Sequence, residues 1–119
     1  MLCSCKESTD PSSCFNDLQK IGSSLGDQTN LEELERFASA IASKERLIII
    51  KALKNIDRCV CELEIILNKS QSTISHHLRK LVAAGIIQGY KKQKFTYYHL
   101  NKEEIKHYLD IFNQVLAFN

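Results

Sequence analysis

Ser70-Gln71-Ser72-Thr73-Ile74-Ser75-His76-His77-Leu78-Arg79-Lys80-Leu81-Val82-Ala83-Ala84-Gly85-Ile86-Ile87 decides how the rest of the chain is read. Ser70 is a good N-cap, because its hydroxyl can take up a free backbone N–H at a helix start. Ile74, Leu78 and Leu81 recur at the 3.6-residue period and mark one apolar stripe. Gly85 stops the helix in the left-handed position that other residues adopt at a cost. The stretch therefore predicts a helix over 71–84. Gln71, Ser72, Thr73, Ser75, His76 and Arg79 lie off its apolar stripe or at its start.

Working outward, Val60 to Leu67 predicts a short helix of two turns, joined to the longer one by the turn Asn68-Lys69-Ser70. On the other side the period changes from helical to two. Ile86 to Tyr90 and Phe95 to Leu100 are β-branched and aromatic runs around Lys91-Lys92-Gln93-Lys94, a small hairpin with a basic tip. Short helix, turn, longer helix and basic hairpin describe a mainly α chain with a small β-hairpin, a winged helix-turn-helix.

The flanks are helical. Phe15, Leu18, Ile21 and Leu25 predict a helix from about 14 to 25, ended by Gly26-Asp27. Asn30 with Glu33 has the spacing of a reciprocal cap for a helix reaching about 42. Ser43 can cap the next, whose buried face is Leu47 to Ile50 and Leu53. Asn55 to Arg58 reads as a polar connection. Asn101 with Glu104 is a second capping pattern, leading a last helix with Ile105, Tyr108, Leu109, Phe112 and Leu116 on one side. Residues 1–12 are nearly devoid of apolar groups and read as a flexible arm, leaving 13–119 as the folded domain.

In such a fold the second helix of the pair lies in the major groove with its N-terminal side chains at base edges. Gln71 can bond an adenine through two hydrogen bonds, and Ser or Thr can serve base or phosphate. Arg79, Lys80, Lys91, Lys92 and Lys94 suit phosphates, which position without specifying. His77, closer to the apolar stripe, reads either as a hydrogen-bonded structural residue or as a DNA contact. Charge agrees: between Lys69 and Asn101 there are six Lys or Arg and no Asp or Glu, although the whole chain has 16 basic and 14 acidic residues. A basic stretch of this kind attracts a polyanion whatever the net charge.

Five cysteines are the other signal. The count is odd, so a disulfide framework is not the expectation; metal binding or thiol redox chemistry is. Cys59 and Cys61 flank Val60 at the start of the short helix. Two positions apart inside a helix they would point to opposite sides, but with Cys59 in the lead-in both can face one ion. A helix N-terminus also favours thiolate, so both thiols are expected to be exposed and activated. Two sulfurs fall short of the four ligands zinc usually takes. Cys3, Cys5 and Cys14 are available to complete a site.

Ser72-x-x-Ser75-His76-His77-Leu78-x-x-Leu81-x-x-Ala84-Gly85-Ile86-Ile87, with the basic wing and Tyr97-Tyr98-His99-Leu100, resembles the ArsR/SmtB family of metal-responsive repressors. The resemblance runs from about Leu34 to Leu100, and Cys59-Val60-Cys61-Glu62-Leu63 is similar to the Cys-Val-Cys-Asp-Leu motif of its arsenic- and cadmium/lead-sensing members. It implies a homodimer on an imperfect inverted repeat of double-stranded DNA, a role in metal resistance, and a thiolate site for Cd, Pb, Zn or As(III). In the cadmium/lead/zinc type that site would join Cys59 and Cys61 to two of the N-terminal cysteines, Cys3, Cys5 and Cys14, across a dimer. The arsenic type has a third cysteine three positions after the second; Glu64 stands there. A second, carboxylate–histidine zinc site on the last helix is not expected, since only His107, Asp110 and Glu103 or Glu104 are at hand. At the wing tip the family usually has Gly-Arg; Gln93-Lys94 keeps the charge and leaves the turn type open.

Pairing is expected through apolar faces that exceed the needs of a small core, with Leu18, Leu34, Ile105, Leu109, Phe112 and Leu116 as the residues concerned. Two other readings stand beside this one: a thiol redox regulator, with Cys59 or Cys61 oxidised against an arm cysteine, and a metal buffer or interaction module that does not bind DNA. The acid-free basic stretch speaks against the last. An enzyme is not expected, for there is neither a Cys-x-x-Cys pair nor a glycine-rich phosphate loop. No apolar run approaches the ~18 residues of a membrane helix and the N-terminus lacks a secretory pattern, so the expected location is cytoplasmic.

Overall fold

The computed structural model describes residues 11–26 and 29–118, in the order α1 Pro11–Gly26, α2 Thr29–Ile41, α3 Lys44–Ala52, β1 Arg58–Cys59, α4 Val60–Leu67, α5 Gln71–Ala83, β2 Ile87–Lys92, β3 Phe95–Leu100 and α6 Lys102–Leu116. The chain divides into two units, one ending at Glu32 and the other beginning at Glu33.

In the first unit α1 starts at Pro11, earlier than the spacing of apolar residues suggests. Proline suits the first helical position, where no N–H is needed and φ is already helical. Pro11 and Ser12 thus belong to a helix and not to the arm; Cys3 and Cys5 lie outside the described residues. Phe15, Leu18, Ile21 and Leu25 are all exposed along α1. Asn30 does not cap α2, which already begins at Thr29, and its Oδ1 is buried with no hydrogen-bond partner among the described residues.

The second unit is built around one core, in which Leu34 and Phe37 of α2, Ile49 of α3, Leu63 of α4, Ile74, Leu78 and Leu81 of α5, Leu100 of β3 and Tyr108 and Ile111 of α6 come together. Leu34, expected on a pairing face, belongs to this core. Ser43 caps α3 by accepting from the Arg46 N–H. Asn68 ends α4 at φ 53°, a left-handed position that asparagine tolerates. Gly85 turns the chain out of α5 at φ 75°, its N–H donating to the Val82 carbonyl and that of Ile86 to Leu81.

Two features of the sheet differ from expectation. Arg58 and Cys59 are not simply a connection: they form β1, which pairs antiparallel with β3 so that the strand order is β1-β3-β2. The first hairpin strand also runs further toward the tip than the sequence suggests, while the second keeps its expected bounds. Lys91 and Lys92 are in β2, Lys92 opposite Phe95, so the loop is only Gln93-Lys94 with Gln93 at φ 59°. At the start of α6 the Asn101 side chain does not cap; its Nδ2 donates to the Gly85 carbonyl at 2.8 Å, tying the hairpin exit to the end of α5. Tyr108 does the same from further along α6, its hydroxyl donating to the Ala84 carbonyl at 2.9 Å while its ring stacks on Phe37.

Candidate nucleic-acid interface and thiol site

α5 is held from one side only. Ile74, Leu78 and Leu81 are buried, and at 100° per residue Ser72, His76 and Arg79 fall on the opposite, exposed side. Gln71 is exposed at the helix start, next to Ser70, whose hydroxyl accepts from the Thr73 N–H and bonds the hydroxyls of Ser72 and Thr73. Thr73 and Ser75 are half-buried flanks, and Lys80 lines a groove beside α2 with Arg36. Lys91, Lys92 and Lys94 are all exposed on the hairpin. His77 is not part of the exposed face: its Nδ1 lies 3.1 Å from Nη1 of the buried Arg46.

The hairpin is braced from below. Asp57, just before β1, accepts from the Tyr90 hydroxyl at 2.6 Å and lies 2.8 Å from Nδ1 of His99. The Tyr90 hydrogen bond, then that of His99, holds the Asp57 carboxyl below its ordinary range. Tyr90 in turn stacks on Tyr97, over which Lys92 lies.

Cys59 occupies the N-cap of α4 in extended conformation, φ −84° and ψ 165°, the lead-in geometry that lets two cysteines two apart face each other. The Sγ atoms of Cys59 and Cys61 are 3.0 Å apart. Glu62 closes the cap by accepting from the Cys59 N–H at 3.0 Å and also pairs with Arg58. That backbone hydrogen bond is the main reason its carboxyl is held low. The two thiols differ. Cys61 is exposed, but Cys59 is buried, and burial followed by its contact with Cys61 pushes its thiol up, against the activation expected from the helix terminus. Both line a cleft of about 250 Å³ whose other walls include Gln71 at the start of α5 and Lys94, Phe95 and Thr96 at the hairpin tip. Cys14 is buried in α1 and disulfide-bonded, although the odd cysteine count had pointed away from a disulfide framework. The described residues contain no group of three or more His, Cys, Asp or Glu placed to hold a metal; His107 pairs with Glu33 alone at 3.1 Å.

The pattern of the family described as "Bacterial regulatory protein, arsR family" matches residues 43–88, from the cap of α3 into β2. An uncharacterized HTH-type transcriptional regulator of Methanocaldococcus jannaschii is 33% identical over 89 residues, which cover 71% of this chain and 100% of that protein. The chain belongs to the arsR family. An arsenical resistance operon repressor of Bacillus subtilis is 36% identical over 83 residues, 66% of this chain and 79% of the repressor. The cadmium resistance transcriptional regulatory protein CadC of Listeria innocua is 32% identical over 76 residues, 63% of this chain and 64% of that protein. Among solved structures, reduced HlyU from Vibrio cholerae superposes with a TM-score of 0.62 at 27% identity, covering 75% of this chain and 94% of its own. A homodimeric winged helix-turn-helix DNA-binding domain from Mycobacterium bovis does so at 0.61 and 23% identity, covering 73% and 80%, a likeness of fold.

The arsR family consists of DNA-binding transcriptional regulators and not enzymes, so the winged helix-turn-helix and the regulatory class read from the sequence hold. Arg46, Asp57 and Tyr90 were given no role by that reading, and Glu62 and His99 were quoted only within motifs; each supports an element of the arsR fold. Glu62 had a visible signal, standing three positions after an N-cap. Arg46 had a weaker one, as the charge directly adjoining the apolar run Leu47 to Ile50. Asp57 had none, because its partners are far along the chain.

Proposed function

We propose that this arsR-family chain is a cytoplasmic repressor that grips operator DNA as a homodimer and releases it when a thiophilic ion, Cd, Pb, Zn or As(III), is taken by Cys59 and Cys61. The observation that carries this is the shared cleft: the two sulfurs, the first residue of α5 and the hairpin tip line one cavity. A change at the sulfurs is thereby a change beside the groups that would meet DNA. No helix among the described residues is long and apolar enough to cross a membrane.

The sulfurs are close to what an ion needs. With Zn–S bonds of ~2.3 Å at the tetrahedral angle two thiolates stand roughly 3.8 Å apart, against 3.0 Å here. Small side-chain rotations suffice, and Cys61 is exposed enough to make them. The ion would supply the positive charge that keeps both sulfurs as thiolates despite the burial of Cys59. Further sulfurs come from Cys3, Cys5 or Cys14, once the disulfide that holds Cys14 is reduced. In DNA binding Gln71 specifies, aided by Ser72, Thr73, Ser75 and His76, while Arg79, Lys80, Lys91, Lys92 and Lys94 hold phosphates. The dimer forms through Leu109, Phe112 and Leu116, exposed along α6, and Leu18 on α1, with half-buried Ile105 at the margin. The reading helices then lie about 34 Å apart on an inverted repeat.

The test is a titration of fully reduced protein with Cd, Pb, Zn and arsenite, following thiolate absorption and release of inverted-repeat DNA, repeated with Cys59→Ser and Cys61→Ser. A second reading, release on thiol oxidation, is favoured by the disulfide at Cys14. Release by peroxide in metal-free buffer, with no response to any of the four ions, would select it.

A further inference from the structure

We propose that Arg46 is the positioning residue of the reading helix, acting through a hydrogen bond to His77 that exists only while His77 is neutral. The proposal rests on the reading above that α5 enters DNA. Arg46 is the one buried charged residue among the described residues. Its Nε donates to the Ala40 carbonyl at 2.5 Å and its Nη2 to that of Ser39 at 3.5 Å, in the last turn of α2, where carbonyls and the helix dipole favour a cation. Its Nη1 reaches His77 at 3.1 Å. One guanidinium therefore fastens α5 to the end of α2 from a point on α3.

A guanidinium has donors and no acceptor, so Nδ1 of His77 must be the acceptor and the proton of the neutral ring is on Nε2. His77 follows Ile74 by three positions and precedes Leu78, so it borders the buried stripe on which α5 rests. Fixing it fixes the rotation of α5 about its own axis, and with it the direction of Ser72, His76 and Arg79 on the far side. Protonation would bring an N–H and a positive charge against Arg46. Burial first, and Arg46 next, disfavour the cation, with smaller opposition from His76 and Lys69; Glu45 alone favours it. His77 thus stays neutral to below the ordinary 6.5. The bond is intact above that pH and is lost as pH falls through the lower folded value.

Charge on the exposed His76 works the other way, because a cation there strengthens a grip on phosphates. A pH profile separates the two. Asn offers an acceptor where His77 has Nδ1, one bond from Cγ, as an amide oxygen that does not titrate. In the reduced protein, histidine Cε1–H resonances are followed with pH for the wild type and Arg46→Met, and inverted-repeat DNA affinity is measured from pH 5.5 to 8 for these and for His77→Asn and His77→Leu. The expected results are a His77 titration below 6.5 that rises in Arg46→Met, and DNA affinity weakened about tenfold at pH 8 in His77→Leu. His77→Asn should bind as the wild type does at pH 8 and lack its decline as pH falls below 6.5. Wild-type affinity in His77→Leu at pH 8, or an unchanged pH profile in His77→Asn, overturns the proposal while leaving the DNA reading intact. No binding of any inverted repeat by the wild type overturns the DNA reading, and an unmoved His77 titration in Arg46→Met overturns the bond to Arg46 by itself.

Discussion

Cys59 lies directly opposite Tyr97 in the pairing of β1 with β3. One residue is therefore the last of a strand that continues the wing, the N-cap of α4, and one of the two sulfurs in the cleft. A rotation at Cys59 has three places to be felt: the wing sheet, the start of the helix pair, and Gln71 across the cavity. Serine keeps the cap and the strand at this position but not the soft sulfur. Cys61→Ser, at an exposed position, should keep DNA affinity within about threefold, since surface changes stay near ±0.5 kcal/mol; Cys59→Ser, at a buried one, should cost some stability but leave operator binding measurable. Each should abolish ion-driven release, read by fluorescence anisotropy of a labelled operator.

Glu62 completes that cap, so Glu62→Ala should destabilise the protein by about 1 kcal/mol in urea unfolding, the usual value of a missing cap. Glu62→Gln should restore part of it through its amide oxygen. The carboxyl is held below its ordinary 4.5. The stabilisation it contributes is complete above that pH and is lost as pH falls through the lower folded value. The midpoint of acid unfolding should shift in Glu62→Gln relative to the wild type.

Asp57 braces the wing through Tyr90 and His99. Asp57→Ala should cost about 1 kcal/mol and speed amide exchange in β2 and β3 more than in α5. Its carboxyl lies below the ordinary 3.8, so this brace is complete above that pH and is lost as pH falls through the folded value. Tyr90→Phe should lose part of the same effect, since His99 still meets Asp57, and adding it to Asp57→Ala should cost little more, since the partner of the Tyr90 hydroxyl is already gone.

Tyr108→Phe isolates a different tie. The ring stack on Phe37 remains, but the Ala84 carbonyl loses its donor at the end of α5. A loss of about 1–2 kcal/mol is expected for a buried acceptor left without its partner. The urea midpoint checks it.

The DNA face makes two separable predictions. Lys91→Ala, Lys92→Ala and Lys94→Ala should each weaken binding to all sequences alike and lower the salt slope by about 0.9 for every phosphate no longer neutralised. Gln71→Ala should leave the salt slope unchanged and relax discrimination at one base position by about 1–3 kcal/mol. Affinities on matched and mutated operators across salt concentrations distinguish the two.

The helices were legible because each carries its apolar stripe and stop signal in a local window: Ile74, Leu78, Leu81 and Gly85 needed nothing from the rest of the chain. Polar side chains were misread where a distant partner displaces a local one. Asn101 has the spacing of a cap but turns its amide to Gly85, and Glu33, expected to serve Asn30, pairs with His107. β1 escaped notice because two residues carry no periodicity; only Tyr97 and Tyr98 make Arg58 and Cys59 a strand. The same tertiary packing buries Cys59 and reverses the thiol activation that a helix terminus alone suggests. Leu34 looked like a spare apolar residue on α2 because its core partners, on other helices, are invisible in a local reading.

The central claim is a coupling between sulfur coordination and DNA binding, and it has one direct measurement. The affinity of fully reduced protein for Cd is determined twice, free and saturated with its inverted-repeat operator, by competition with a chelator of known strength. The account predicts weaker Cd binding in the DNA complex by a factor of roughly 5–150, the range of an ordinary allosteric coupling. Equal affinities in the two states would contradict it.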